Sequence, residues 1–233
     1  MPNRNTEMHF ASNPTNIDIS RSSFDLSRCV KTTFNVGQLV PLCPPIEVLP
    51  GDTFQIDTSK VVRLTTLLTP MMDNLYMDTY WFYVPNRLVW THWKEFMGEN
   101  TGSAWIPQTT YSIPQITAPS QGWDIGTIAD YFGLPTGVER FSSGESISVS
   151  ALPFRGYALI CNEWFRSEVV SSPLVINTGD STQTGSNGSG LSDTALGGVP
   201  YQACKFFDLF TGCLPSSQKG PNVQIPLVDN KGT

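Results

Sequence analysis

The stretch LYMDTYWFYV, residues 75–84, decides the fold. Successive side chains of a strand point to opposite faces, and here both faces are apolar or aromatic, with Asp78 as the exception. β-Branched and aromatic residues suit a pleated sheet, and ten residues would span roughly 33 Å. A strand that is apolar on both faces must be covered on both sides. It therefore belongs in the wall of a sandwich or barrel, or at a junction between subunits.

Further strands are predicted around this segment. Residues 30–36 alternate between apolar and polar side chains, and residues 54–68 form a second, kinked apolar run. Residues 1–28 are polar and unpatterned, which predicts an extended N-terminal arm. Residues 223–228 are a possible last strand. A closed jelly roll needs about eight strands, so we expect these strands either to pair with other chains or to be part of a longer protein, and we favour the second explanation.

Helices are predicted in the connections between strands. Residues 87–97 form the first, with Asn86 as its N-cap and Gly98 after its end, and residues 124–133 form a second that Asp124 caps. Residues 99–123, rich in Thr, Gln, Ser and Pro, are predicted to be a long loop.

The third helix has the clearest pattern, running from its N-cap Ser150 to about Glu168 with Pro153 in its first turn. Its apolar stripe comprises Phe154, Tyr157, Cys161, Trp164 and Phe165. After it, residues 177–198 are rich in Gly, Ser and Thr and are expected to form a mobile loop. The fold class is therefore mostly β with inserted helices, and residues 29–233 are predicted to form a single domain.

The composition limits the classes of function. The net charge is −6, which argues against a basic nucleic-acid-binding surface. Charged residues make up only 15% of the chain and aromatic residues 11%. Exposed surface normally carries the charge, so this balance favours a surface that meets other subunits. A loop-rich domain with a polar uncharged surface is the other interpretation.

Catalytic and metal-binding motifs are not found in the sequence. The chain has two histidines, His9 and His92, and five cysteines without metal-ligand spacing, so we expect no metal and no cofactor. His92 is expected to be a surface or packing residue. We also expect a reduced folding environment, no signal peptide and no membrane insertion, because no apolar run approaches the roughly 18 residues of a transmembrane helix.

Several blocks of the sequence resemble one known family. They are Phe34-Asn35-Val36-Gly37-Gln38, Val48-Leu49-Pro50-Gly51-Asp52, Phe82-Tyr83-Val84-Pro85-Asn86-Arg87, Phe96-Met97-Gly98-Glu99, Leu152-Pro153-Phe154-Arg155, Asn162-Glu163-Trp164-Phe165-Arg166 and Cys213-Leu214-Pro215. In this order they are similar to the major capsid proteins of gokushoviruses, which are tailless single-stranded-DNA phages of the Microviridae.

The resemblance implies a structural protein of the virion and no enzymatic activity. The family fold is a viral jelly roll, whose subunits form pentamers and then a T=1 icosahedral shell around a circular single-stranded DNA genome. The implied partners are other copies of the coat protein, an internal scaffolding protein, a small DNA-binding protein and a pilot protein. The DNA itself would be contacted weakly and indirectly. Assembly would take place in the cytoplasm of the bacterial host. Family members are expected to be about twice as long, with the remaining strands in the missing C-terminal half.

On this interpretation, aromatic and arginine side chains are the candidate contacts between subunits. They are Arg87, Trp90, Trp93, Trp105, Arg155, Trp164 and Arg166. Two other classes of function remain. A carbohydrate-binding jelly-roll module would use exposed aromatic residues to bind sugars, and a β-sandwich enzyme would need an active-site constellation that the sequence does not contain.

Overall fold

The computed structural model describes residues 19–100, 102, 109–137 and 146–204. The chain divides into two compact units, Met1–Lys31 and Thr32–Thr233. In the first unit, residues 19–31 have no regular secondary structure and are exposed throughout. A local turn is held there by Asp25, whose Oδ1 accepts a hydrogen bond from the Ser27 amide at 2.9 Å. The predicted strand at 223–228 lies outside the described residues.

The helices and strands of the second unit are short. The helices are α1 (Asn86–Val89), α2 (Trp93–Phe96), α3 (Ile128–Tyr131) and α4 (Leu152–Ile160), with a π-helical turn at Cys161–Phe165 and a 3-10 helix at Asp193–Leu196. The strands are β1 (Gln115–Thr117), β2 (Ser148–Ser150) and β3 (Gln183–Thr184). β1 is central, antiparallel to β2 and parallel to β3. In this register Ile116 lies opposite Val149 and Gln183.

The core lies between this small sheet and α4. Phe154 and Ala158 on α4 belong to one buried cluster with Trp123, with Ile116 of β1 and with Ile128 of α3. The rings of Trp123 and Phe154 are stacked with their centroids 6.5 Å apart. Burying such side chains stabilises a fold by about 1.5–3 kcal/mol each. The first part of the stripe predicted for the third helix, from Phe154 to Cys161, therefore lies in the core, as its periodicity indicates.

The predicted mobile loop at 177–198 contributes to this core. It contains β3 and the 3-10 helix, in which Ala195 is buried. Glycines let its backbone pass close to bulky side chains: a Cβ on Gly185 or Gly197 would lie about 3 Å from the indole of Trp123. The abundance of glycine therefore reflects close packing as well as turns. A loop prediction based on composition misses this, because composition does not show which backbone a tryptophan covers.

The predicted strands at 30–36, 54–68 and 75–84 carry no regular secondary structure in the described chain. A strand is defined by hydrogen bonds to a neighbour, and an apolar pattern supplies the surface but not the partner. Two of the segments approach each other where Lys60 Nζ donates to Thr79 Oγ1. The strands that do form, β1, β2 and β3, are too short to show a period of two in the sequence.

The predicted helix at 87–97 is divided in two. The Trp90 amide donates to the Asn86 carbonyl and ends α1, but the next amide, of Thr91, donates to the Thr178 carbonyl at 3.0 Å. A tertiary hydrogen bond thus replaces a helical one, and α2 starts after the break. Pro85, not Asn86, occupies the N-cap position. The end is as predicted, since Gly98 has a positive φ of 97°.

Three further helix boundaries differ from the prediction. Ala151, not Ser150, occupies the N-cap position of α4. Thr127, not Asp124, caps α3, because its side chain accepts from the Asp130 amide and donates to the Asp124 carbonyl. The third predicted helix ends at Phe165 rather than near Glu168, and its last turn is π-helical, with the Arg166 amide bonded to the Cys161 carbonyl at 2.9 Å. A π turn contains an additional residue, which rotates the following side chains away from the stripe that a period of 3.6 predicts. Trp164 is 71% exposed as a result.

Candidate assembly surfaces

Residues 75–84 are only partly covered by the described chain. Val84 packs on α4, where its Cγ1 would lie 3.7 Å from a Cβ built on Gly156. On the same face Tyr80 and Phe82 contact Phe165, with ring centroids 5.3 and 6.0 Å apart. Most side chains of the segment are nevertheless exposed, and these include Leu75, Tyr76, Met77, Tyr80, Trp81 and Tyr83. A contiguous apolar surface of this kind marks an interaction site or a surface that needs further polypeptide to cover it.

A second feature, here called the aromatic cleft, is lined by Tyr80, Trp81, Phe82, Trp164 and Phe165 and has a volume of about 460 Å³. The ring of Phe82 lies 5.8 Å from that of Trp164 and 6.2 Å from that of Tyr80. The cleft exists because the π-helical turn carries Trp164 and Phe165 towards the extended segment. Such turns are frequent at functional sites. The cleft can accept an apolar or aromatic side chain.

A third feature, the Asp180 cluster, is polar. Asp180 Oδ1 accepts a hydrogen bond from Trp90 Nε1 at 2.6 Å, and its carboxylate lies 2.9 Å from Nδ1 of His92. A carboxylate only accepts hydrogen bonds, so His92 Nδ1 carries the proton in this contact. The His92 ring stacks on Tyr111 at 4.3 Å. This agrees with a packing role for His92, and the cluster ties the α1–α2 break to residues 178–180.

The guanidinium of Arg155 lies beside this cluster. It is buried, and one terminal nitrogen donates to the carbonyls of Val89 at 3.2 Å and Gly179 at 3.0 Å. Its Nε and its second terminal nitrogen have no hydrogen-bond partner among the described residues. Burial lowers the pKa of Arg155, and the charge of Asp180 acts in the opposite direction. Arg155 therefore links the backbone at Val89 to the backbone at Gly179 within the chain.

The hydrogen bonds from Trp90 and His92 hold the pKa of Asp180 below its ordinary value. Because the folded-state pKa is lower than the unfolded-state value of about 3.9, the ionised carboxylate stabilises the fold above that pH. This contribution is lost as the pH falls through the folded-state pKa.

Asp180→Asn should destabilise the chain by about 1 kcal/mol or less at pH 7, and the difference from wild type should shrink below about pH 4. Urea denaturation at a series of pH values measures both, and a difference that stays constant down to pH 2 would contradict the assignment.

The predicted contact residues fall into two groups. Trp90 and Arg155 are buried and bind partners within the chain, so we assign them to folding and not to contacts between subunits. Their residue types gave no indication of this, because aromatic and arginine residues are typical both of interfaces and of buried clusters.

Other predicted contacts remain accessible. Arg87 and Trp164 are exposed, whereas Trp93 and Arg166 are half-buried. Arg166 is held by the chain itself, since one of its terminal nitrogens donates to the Ser171 carbonyl at 3.0 Å. Trp105 lies outside the described residues.

Sequence reasoning missed Asp180, which lies in a polar stretch without any signal. It also did not name Tyr80 and Phe82 as contact residues, although their strand pattern indicated a face that must be covered. The structure brings both to the aromatic cleft with Trp164.

The part of the chain that the structure describes contains no group of three or more His, Cys, Asp or Glu side chains that could hold a metal ion. Burial raises the pKa of the Cys161 thiol to about 12, so this cysteine remains protonated and acts as a packing residue. Among the same residues, no helix combines the length and apolar character needed to cross a membrane.

Comparison with known proteins shows which class of protein the chain resembles. The matching proteins are capsid proteins of phages. The Capsid protein VP1 of Spiroplasma virus 4 is 42% identical over 203 residues, which cover 87% of this chain and 35% of that protein. The Capsid protein VP1 of Chlamydia phage 1 is 41% identical over 218 residues, covering 90% of this chain and 35% of that protein. The Capsid protein F of Escherichia phage G4 is 26% identical over 148 residues, covering 63% and 30%.

A family model described as Capsid protein (F protein) matches residues 12–232. The chain belongs to this family of phage capsid proteins. The resemblance to gokushovirus coat proteins is thereby confirmed. The chain spans about a third of the length of the curated relatives it matches, so these are longer than the expected factor of two.

Proposed function

We propose that the chain forms part of the major capsid subunit of a small icosahedral phage. The subunit has a jelly-roll fold, assembles through pentamers into a T=1 shell and encloses a circular single-stranded DNA genome in the virion. The role is structural and involves no catalysis. The observation that carries the proposal is the set of exposed apolar side chains in residues 75–84 of a chain that belongs to a phage capsid family.

These exposed side chains fit a shell wall. Leu75, Met77, Trp81 and Tyr83 would remain in water if the described chain were the whole assembly. Covering apolar area stabilises by about 25 cal/mol per Å². Other capsid polypeptide, paired with the extended segments 54–68 and 75–84, supplies both the missing sheet neighbours and the missing cover. That pairing produces the jelly roll of the proposal.

The charge balance fits a wall that does not itself neutralise the genome. With a net charge of −6, the chain lacks the excess of basic residues that would neutralise phosphates. A separate basic protein therefore accompanies the DNA, and a scaffolding protein and a pilot protein complete the set of partners. The contact of this chain with DNA is weak and indirect.

Assembly is the property that tests the proposal. The product of the gene that encodes this chain should sediment as pentamers or as closed shells when expressed in a bacterium, and electron microscopy should show particles of uniform size. Closing a ring and then a shell needs only one repeated heterologous contact of modest strength, because each subunit is held by several neighbours. A product that stays monomeric at all concentrations would contradict the proposal.

A further inference from the structure

Residues 40–84, here called the excursion, start and end at neighbouring residues of α4. Just before the start, Leu39 packs on the core, and its carbonyl accepts a hydrogen bond from the hydroxyl of Tyr157. At the end, the Cγ1 atom of Val84 would lie 3.7 Å from a Cβ built on Gly156. Most residues between these two points are exposed. Both ends of a long, exposed segment are therefore held by one turn of a buried helix.

The Tyr157 hydroxyl takes the place of one hydrogen bond in a short antiparallel ladder. Gln38 and Gln202 are paired in this ladder. Next to them, the Leu39 amide donates to the Tyr201 carbonyl at 2.9 Å. In a regular antiparallel pair the Tyr201 amide would donate back to the Leu39 carbonyl. Here it donates to the Tyr157 hydroxyl at 3.0 Å, and the hydroxyl donates to the Leu39 carbonyl.

This relayed hydrogen bond is the last of the ladder. The next position on one strand is Pro41, which has no amide hydrogen to donate. On the other strand, the Val199 amide donates to the Gly188 carbonyl at 2.9 Å. Burial raises the pKa of Tyr157, so its hydroxyl keeps the proton that it donates. The ladder thus holds the start of the excursion through the Tyr157 side chain.

We propose that Gly156 and Tyr157 hold the two ends of the excursion side by side for capsid assembly, with Tyr157 as the positioning residue. The excursion carries the exposed apolar side chains of residues 75–84. A shift at its base would move these side chains relative to the polypeptide that covers them. A surface held in its bound geometry before association loses less entropy when it binds. The inference rests on the proposed capsid function and names a residue that prepares the chain for it.

Tyr157→Phe tests the role because it keeps the buried ring and removes only the hydroxyl. In the full gene product we expect the critical concentration for assembly, measured by sedimentation, to rise about 10-fold, since each repeated contact is weakened. Hydrogen exchange below that concentration should show about 10-fold lower protection of the Tyr201 amide. The Arg155 amide, which donates to the Ala151 carbonyl within α4, should keep its protection.

Control variants separate positioning from stability. Tyr131→Phe removes a hydroxyl that donates to the Thr33 carbonyl at 3.0 Å, outside the ladder, and should assemble as the wild type does. Ile116→Val and Ile128→Val each shorten a fully buried side chain of the core. Alone or combined, they provide a control with the same urea midpoint as Tyr157→Phe. This stability-matched control should also assemble as the wild type does.

The outcomes separate the two proposals. If Tyr157→Phe and the stability-matched control have the same critical concentration, the positioning role is overturned and the capsid function stands. Unchanged protection of the Tyr201 amide overturns the role as well. A wild-type gene product that never oligomerises overturns both proposals.

Val84→Ala keeps the proposal testable if Tyr157→Phe does not fold. It loosens the other end of the excursion at a half-buried position, where the loss of stability is smaller. A critical concentration above that of a control with the same urea midpoint supports the proposal. A critical concentration equal to that of this control overturns it.

Discussion

Trp90→Ala is expected to lower the free energy of unfolding by about 3–5 kcal/mol, the cost of removing a large side chain from a core. Trp90 is fully buried, and its ring lies 5.2 Å from Phe96 and 6.1 Å from Trp93. The substitution would leave a cavity between α1 and α2 and remove the hydrogen bond that Asp180 accepts at 2.6 Å. Urea denaturation of the chain, followed by far-UV circular dichroism at a concentration too low for association, measures the loss.

Trp164→Ala is the matched control, since it removes the same side chain from an exposed position. We expect a change in unfolding free energy of at most about 0.5 kcal/mol and a clear loss of assembly. The two tryptophans thus separate folding from association. Equal destabilisation by both substitutions would contradict the assignment of Trp90 to the interior and Trp164 to the surface.

Gly197→Ala should destabilise the fold by about 2–4 kcal/mol. Gly197 has a φ of 87°, in the left-handed region, which costs a residue with a Cβ about 1 kcal/mol or more. The new Cβ would also lie 3.0 Å from Trp123 Nε1 and 3.1 Å from Cε1 of Phe154. These rings are stacked and buried in the core, so overpacking adds about 1–3 kcal/mol.

Gly133→Ala isolates the backbone part of this effect. Gly133 ends α3 with a φ of 84°, but a Cβ there would have no atom within 4 Å. Only the conformational cost of about 1 kcal/mol should remain. Urea denaturation gives the free energy of unfolding of Gly197→Ala and of Gly133→Ala, and the difference between the two values is the cost of the clash. If both variants were equally stable, the packing of Trp123 on the 177–198 segment would be wrong.

Much of the fold follows from local patterns. The stripe from Phe154 to Cys161 is buried as its period requires, Pro153 lies in the first turn of α4, and Gly98 and Gly133 end helices through positive φ. Each of these depends on residues within a few positions of one another. The sequence is a sufficient guide there, because helical periodicity and steric limits on φ act over a single turn.

The candidate contact residues were less predictable. Trp90 and Trp164 have the same side chain and both fall in predicted helices, yet one is buried and the other exposed. The difference arises from the π-helical turn at Cys161–Phe165 and from residues 178–180, which lie nearly 90 positions after Trp90. Neither a shift of helical register nor a distant hydrogen-bond acceptor can be predicted from the residues next to the tryptophan.

The sequence by itself determined that residues 75–84 are apolar on both faces, that α4 has a buried stripe and that the chain carries the blocks of a phage capsid family. Tertiary structure alone decided which side chains of residues 75–84 contact the rest of the chain, which tryptophans are interior and how the glycine-rich segment enters the core. The physical reason is the range of the interactions. Patterning and φ preferences are set by neighbouring residues, whereas burial and hydrogen-bond partners depend on segments far apart in the chain.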